Sequence, residues 1–435
     1  MQIDDLTLTL FSWENIPPTQ YAAGSGNSSG NSTLGLLRIS TDDGIEGHAF
    51  LGSATYSAEI DCKGIIHFLK PILMGADPLD REYLYQKMWK QNRKVSLRSI
   101  GAVDIALYDI AAKAAALPLY KFLGGYRDAI PAYASSAIMS DKTEYAEEAV
   151  KYKEDGWAAY KIHPPTIWRK DIGVCQAARE AVGNDFDLML DSTWAYTYDN
   201  AIKVGRAIED LNFYWYEDPL ADDDLMGCIK LREKLSIPLM ATEYSPGGFT
   251  NYVPWIINKA TDYLRGDVAV KGGITALLKT AHLAEAFGMN YEIHHGGNSL
   301  NNWANLHVIL AIKNTTYFEV LLPSGAQKYG VIDDLEPDSQ GAVKAPEQAG
   351  LGAEDLNLVE LHDCFATAEM LHYENLSLCN DGEAGMMIDE GHVELGGKIP
   401  VNVSGGLLSK GHPLGATGIA NIYEVCTHLR GEAGK

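Results

Sequence analysis

From residue 130 onward the chain repeats one pattern eight times: a short apolar run followed by a helical stretch. The runs are Ile130–Tyr133, Ala158–His163, Phe186–Asp191, Phe213–Glu217, Pro238–Glu243, Tyr263–Asp267, Met289–His294 and Thr316–Val320. Runs of this length alternating with helical patterns predict βαβ units, and eight such units predict a (β/α)₈ barrel. Several runs end in a polar residue capable of chemistry. From Asp191 to Glu217 is 26 residues, and from Glu217 to Glu243 another 26. Asp267 follows after 24, His294 after 27 and Glu319 after 25. Each interval is one βα unit.

Parallel strands bring their C-terminal ends to one rim of a barrel, so spacing by one unit becomes adjacency. Asp191, Glu217 and Glu243 would then crowd three carboxylates around one point, a costly like-charge cluster unless a cation neutralises it. Each could instead cap the helix after its strand, as Asp191-Ser-Thr could, but the period of three favours a metal site. Oxygen-only ligands with room for water and substrate favour Mg²⁺ over zinc or copper. Asp267 and His294 follow on the next two strand ends, where the carboxylate can orient the imidazole as a general base. Strand alternation puts the neighbouring His295 on the face of Ile293, toward the helix layer. Lys161 and His163 lie two apart on the second strand and point to the same side. Lys161 beside a metal can lose its proton or bind a carboxylate, while His163 can be base, acid or hydroxyl ligand. Glu319 would sit opposite the metal ligands and, if protonated, hydrogen-bond a substrate carboxylate.

Before the barrel, residues 1–129 read as an α+β domain. Leu6-Thr-Leu-Thr-Leu-Phe and Leu34-Gly-Leu-Leu-Arg-Ile alternate like strands, and a Thr41-Asp-Asp-Gly turn leads into Ile45-Glu-Gly-His-Ala-Phe. The polar, glycine-rich stretch Gly24 to Thr33 is expected to be a mobile loop. Residues 58–122 turn helical, most clearly from Ala102 to Ala116, with Pro118 as a stop. The chain of 435 residues carries a formal charge of −23, which argues against nucleic-acid and anionic-membrane partners. Its six cysteines form no CxxC pair, and the start Met1-Gln-Ile-Asp-Asp lacks the regions of a signal peptide. A cytoplasmic protein with reduced thiols is the expectation.

The series Lys161-Ile-His, Leu190-Asp, Tyr216-Glu-Asp-Pro, Thr242-Glu, Gly266-Asp with Gly272-Gly-Ile-Thr, Ile293-His and Phe318-Glu resembles the enolase superfamily of the mandelate racemase/muconate lactonizing enzyme type. The resemblance covers residues 1 to about 350 and includes Ala102-Val-Asp-Ile-Ala-Leu-Tyr-Asp and Leu117-Pro-Leu-Tyr-Lys-Phe-Leu-Gly-Gly near the end of the first domain. It implies a capping domain (1–129) whose loops, here 22–33 and 50–56, choose the substrate over a barrel (130–350). It implies a metal that binds the substrate carboxylate, a base that removes the α-proton, and a family habit of oligomerising, so a homo-oligomer is expected. The family motif is most often Lys-x-Lys, and His163 stands at its second place, which argues against a two-base racemase. The expected activity is therefore dehydration of a hydroxy-acid (sugar-acid) substrate to a 2-keto-3-deoxy acid, with racemisation or epimerisation as the alternative.

Residues 351–435 depart from that pattern. Val359-Glu-Leu-His-Asp-Cys-Phe-Ala and the run from Val401 through Gly411-His-Pro-Leu-Gly-Ala-Thr-Gly resemble the C-terminal half of a sterol-carrier-type thiolase. That resemblance implies a thiolase-like α/β fragment in which His362 and His412 match the motif histidines. The nucleophilic cysteine belongs to the other half of such a domain, and Cys364 has no equivalent role. An acyl-CoA-binding or scaffold function led by this segment is the least favoured reading. Ala349-Gly-Leu-Gly-Ala-Glu-Asp marks the join.

Overall fold

The computed structural model describes residues 1–24, 28–331, 334–352, 379, 383–394 and 401. The chain forms two units, Met1–Ala353 and Glu354–Lys435.

The first unit opens with an antiparallel sheet of β1 (Ile3–Thr19), β2 (Ser28–Thr41) and β3 (Glu46–Leu51) in the order β1-β2-β3. The turn from β2 to β3 is the expected one, with Gly44 at φ 76° and its N–H bonded to the Thr41 carbonyl. The polar stretch before it differs from expectation. Trp13 pairs with Ser32, Ile16 with Gly30 and Thr19 with Ser28, so residues 28–33 extend β2 rather than form a loop. Ladder bonds come from the backbone, which composition does not report, and register shifts at Ile16 and Thr19 take up the irregularity.

The helix Leu97–Ala114 fastens this sheet to the barrel. Ser96 caps it, its hydroxyl accepting from Ser99 N at 3.0 Å. Its buried residues run continuously from Ser99 to Ala112, the pattern of a helix covered on every side. A Cβ on Gly47 of β3 would lie 2.0 Å from the Ala106 carbonyl oxygen, and one on Gly101 would lie 2.5 Å from that of Val268. Only glycine permits these approaches. Asp104 accepts from Thr275 N and Oγ1, both at 2.8 Å, at the start of the barrel helix Ile274–Ala286.

All eight strands read from the sequence are present: β4 (Ala129–Ser135), β5 (Ala159–Ile162), β6 (Asp187–Asp191), β7 (Trp215–Glu217), β8 (Leu239–Ala241), β9 (Tyr263–Gly266), β10 (Asn290–Ile293) and β11 (Phe318–Leu321). They form a parallel, nearly closed barrel in the order β10-β9-β8-β7-β6-β5-β4-β11. A short β12 (Ala342–Lys344) adds antiparallel to β4. Alternation sorts the side chains into two cores. Tyr133, Ala159, Met189, Trp215 and Met240 form one cluster inside the barrel, and Tyr160, Leu188, Leu190, Tyr216 and Leu264 join the helix layer in the other. Lys161, Asp191 and Glu217 each lie two residues beyond a member of the inner cluster, so an aromatic and methionine floor carries them.

Within Glu354–Lys435, the described residues include the helix Ala384–Asp389 and a small cluster of Ala384, Met387, Val393 and Val401. His362, Cys364 and His412, singled out in the sequence, lie outside the described residues. No helix among the described residues is long and apolar enough to cross a membrane.

Candidate active site at the barrel rim

A cavity of about 370 Å³ opens at the C-terminal ends of the strands. Lys161, His163, Asp191, Glu243, His294 and Glu319 line it. Glu217 lies beneath them, and Asp267 stands behind His294. All eight residues anticipated from the sequence therefore meet in one place.

One oxygen from each of Asp191, Glu217 and Glu243 falls within 4.8 Å of the others, and all three side chains are buried. Asp191 and Glu217 end β6 and β7. Glu243 arrives differently: β8 stops at Ala241, and Thr242, at φ 89°, turns the chain so that Glu243 reaches the group. Thr193, Trp194 and Asp218 also have positive φ, so strained backbone clusters at this rim. The donor set is all oxygen, which suits a hard divalent cation.

Opposite charges hold these carboxylates together. Lys161 Nζ lies 3.2 Å from Asp191, 3.1 Å from Glu217 and 2.7 Å from Glu319. Burial and the Arg265 charge oppose its protonation, but Glu217 and Glu319 outweigh them and raise its pKa well above the usual range. These contacts favour the ammonium form of Lys161, the form that can bind a carboxylate.

The residue that sequence reasoning missed is Arg265. Fully buried in β9, its guanidinium lies 2.5 Å from Glu217 Oε1, 3.2 Å from Glu243 Oε2 and 2.5 Å from Glu319 Oε2, and donates to Tyr133 Oη at 3.1 Å. The signal was available: Arg265 stands two residues before Asp267 on one strand, the spacing that paired Lys161 with His163. Arg265 also corrects the reading of Glu319. Burial would raise its pKa, but the charges of Arg265 and Lys161 hold it well below the carboxylate range, so Glu319 accepts hydrogen bonds, one from His295 N at 3.0 Å, as an ion.

The expected dyad is formed. His294 Nδ1 lies 2.5 Å from Asp267 Oδ2, and Asp267 Oδ1 accepts from Ala269 N and Val270 N. Burial works against protonation of His294, but the charge of Glu243 and the bond to Asp267 prevail and raise its pKa. Asp267 is lowered, its burial outweighed by the bond to His294. The His295 ring packs on Phe318 with centroids 4.1 Å apart, while His295 also borders the cavity beside His294. On the far wall, His163 Nδ1 meets the Ser136 carbonyl at 2.7 Å, and Nε2 lies 3.0 Å from Asp191 Oδ2. The first domain closes the cavity with Thr19, Gln20 and Tyr21 and with Ser53 and Thr55. The second group lies within the expected loop 50–56, and the first leads into the expected loop 22–33, whose first residue, Ala22, also lines the cavity.

A buried carboxylate trio, a carboxylate-histidine pair beside it and a second domain over the rim define a barrel enzyme with a covered polar site. Comparison with known proteins agrees. Residues 6–124 match the mandelate racemase / muconate lactonizing enzyme N-terminal domain, and residues 144–355 match the enolase C-terminal domain-like family. The chain belongs to the enolase superfamily, of the mandelate racemase/muconate lactonizing enzyme type. It is 29% identical over 329 residues to an arabinonate dehydratase of Saccharolobus solfataricus, covering 72% of this chain and 86% of that one. The crystal structure of D-glucarate dehydratase from Agrobacterium tumefaciens complexed with magnesium superposes with a TM-score of 0.73 at 32% identity, over 81% of this chain and 96% of that one. Residues 334–435 match the thiolase C-terminal domain-like family, sharing 334–355 with the enolase match. Sterol carrier protein 2 of Rattus norvegicus is 50% identical over 116 residues, 26% of this chain and 21% of that one. The chain thus spans about a fifth of that relative's length.

Proposed function

We propose that the chain is a Mg²⁺-dependent hydro-lyase that dehydrates a sugar acid to the 2-keto-3-deoxy acid. The observation that carries this reading is that the Asp191, Glu217 and Glu243 group and the Asp267–His294 dyad adjoin at one cavity, His294 Nε2 lying 3.2 Å from Glu243 Oε1. The trio fits Mg²⁺, since every donor is a carboxylate oxygen and one oxygen from each of the three residues lies within 4.8 Å of the others. When bound there, the metal supplies Lewis acidity that draws electron density from a substrate carboxylate. His294, oriented by Asp267, takes the proton from the carbon beside that carboxylate. Lys161 holds positive charge where negative charge develops, beside Glu319 and the trio. The electron pair left by the C–H bond expels the β-hydroxyl, His163 donates the proton that makes it water, and the enol product tautomerises to the keto acid.

The alternative of a racemase or epimerase draws on the same two walls, because His163 and His294 both border the cavity. One assay separates the readings. With Mg²⁺ and a panel of sugar acids, keto acid should accumulate and chelation should stop it; α-carbon exchange without keto acid would replace the dehydratase with the racemase.

We further propose three parts, 1–129, 130–350 and 351–435, a division supported by the family matches and by the unit boundary after Ala353. A cytoplasmic location is supported by the free thiols Cys62, Cys175 and Cys228. A homo-oligomer is supported by the exposed apolar side chains Ile60, Ile66, Phe68 and Met74 of the first domain, and light scattering tests it.

A further inference from the structure

A second cavity of about 150 Å³ lies beside the first, and the two share Ser53, Thr55, Tyr244 and Gly296 on their walls. Its cation is Arg98, in the first turn of the helix Leu97–Ala114. Lys161 and Arg98 are the only lysine or arginine among the described residues that line either cavity. Their circumstances differ. Lys161 is saturated by three carboxylates, whereas Arg98 makes no ion pair or side-chain hydrogen bond among the described residues. Its guanidinium carbon sits 4.7 Å from the centroid of the Tyr56 ring, which supports one face and leaves the donor edge unused.

Asp267 also lines this cavity, but its oxygens are committed, Oδ2 to His294 and Oδ1 to two backbone amides. A guanidinium offers several donors in a planar fork whose natural complement is a carboxylate. In a rim this acidic, a second substrate carboxylate would be repelled wherever no cation waits for it. Arg98 is the lining cation that no carboxylate among the described residues contacts directly, although its charge also acts on Asp267.

Resting on the dehydratase reading above, we propose that the Arg98 cavity binds the second carboxylate of a sugar diacid, so the substrate class is the aldaric acids rather than the monocarboxylic aldonic acids. The first carboxylate would meet the cation that Asp191, Glu217 and Glu243 would hold, and the chain spans the shared wall at Ser53 and Tyr244.

The test is calorimetric binding of galactaric acid and of the matching monoacid, galactonic acid, to the Mg²⁺-loaded full chain. Both are measured in a His294→Asn background that slows turnover, with and without Arg98→Gln. The diacid should bind at least tenfold more tightly than the monoacid, and Arg98→Gln should weaken the diacid at least tenfold more than the monoacid. Arg98→Lys, which keeps the charge without the fork, should fall between. Equal weakening of both ligands would overturn the inference, because Arg98 would then act only through Asp267. A monoacid that binds as tightly as the diacid would overturn it too. Turnover is read separately with the His294 enzyme: a diacid preference lost in Arg98→Gln, without any keto acid formed, upholds this inference and strikes the dehydratase reading instead.

Discussion

Arg265 shows how one residue can settle the protonation of several others. Three carboxylates converge on its guanidinium, and removing it would leave Lys161 and His294 as the remaining cationic partners of three buried like charges. Arg265→Met should therefore destabilise the metal-free protein by about 3–5 kcal/mol in urea unfolding. Mg²⁺ should recover part of that loss, and an unchanged midpoint would contradict the role given to Arg265. Its position was legible from alternation along Tyr263–Asp267, yet an arginine in a strand core runs against the expectation of apolar filling. The sequence reading left the protonation of Glu319 open, and partners on other strands, Arg265 and Lys161, hold its pKa well below the carboxylate range. Asp191 and Glu217 were legible for the opposite reason: each stands at a strand end, where type and spacing carry the information. Glu243 was found by period alone, as its approach depends on the turn at Thr242.

At the scale of elements, the helix Leu97–Ala114 joins the two domains of the first unit through close approach and one buried carboxylate. Gly101→Ala would place a methyl 2.5 Å from the Val268 carbonyl oxygen, and a loss of about 1–3 kcal/mol is expected in thermal or urea unfolding. Asp104 makes this joint pH-dependent. Burial pushes its carboxyl up to about 7, from 3.8, against the hydrogen bonds from Thr275. The folded state therefore holds a proton that the unfolded chain releases between about pH 4 and 7, so this group's contribution falls as pH rises through that window. Relative to Asp104→Asn, the wild type should lose roughly 2–4 kcal/mol between pH 4 and 8. A constant difference across that range would show that Asp104 does not titrate there. The apolar continuity of this helix was visible in the sequence, but its placement between β3 and the barrel was not, because which surfaces cover a helix is a tertiary fact. The stretch 28–33 was misread for a related reason: serine and glycine suggest a loop, while the ladder to β1 needs only backbone groups.

For the whole molecule, the account makes Met1–Ala353 sufficient for the chemistry, because every residue assigned to the site lies within it. Deleting residues 354–435 should leave kcat/KM for the sugar acid within about threefold of the full chain, which is under 1 kcal/mol; a hundredfold loss would make the thiolase-like segment part of the enzyme. Saturating Mg²⁺ should also raise the melting temperature, by linkage of about 2.7 kcal/mol at a hundredfold excess over Kd. The most direct measurement follows the hydrogen atoms of the reaction. With Mg²⁺ and substrate in D₂O, mass spectrometry and NMR of the product should find a 2-keto-3-deoxy acid carrying one solvent deuterium at C3, and His294→Asn should abolish its formation. Deuterium at C2 of recovered hydroxy acid without keto product, or undiminished turnover by His294→Asn, would contradict the account.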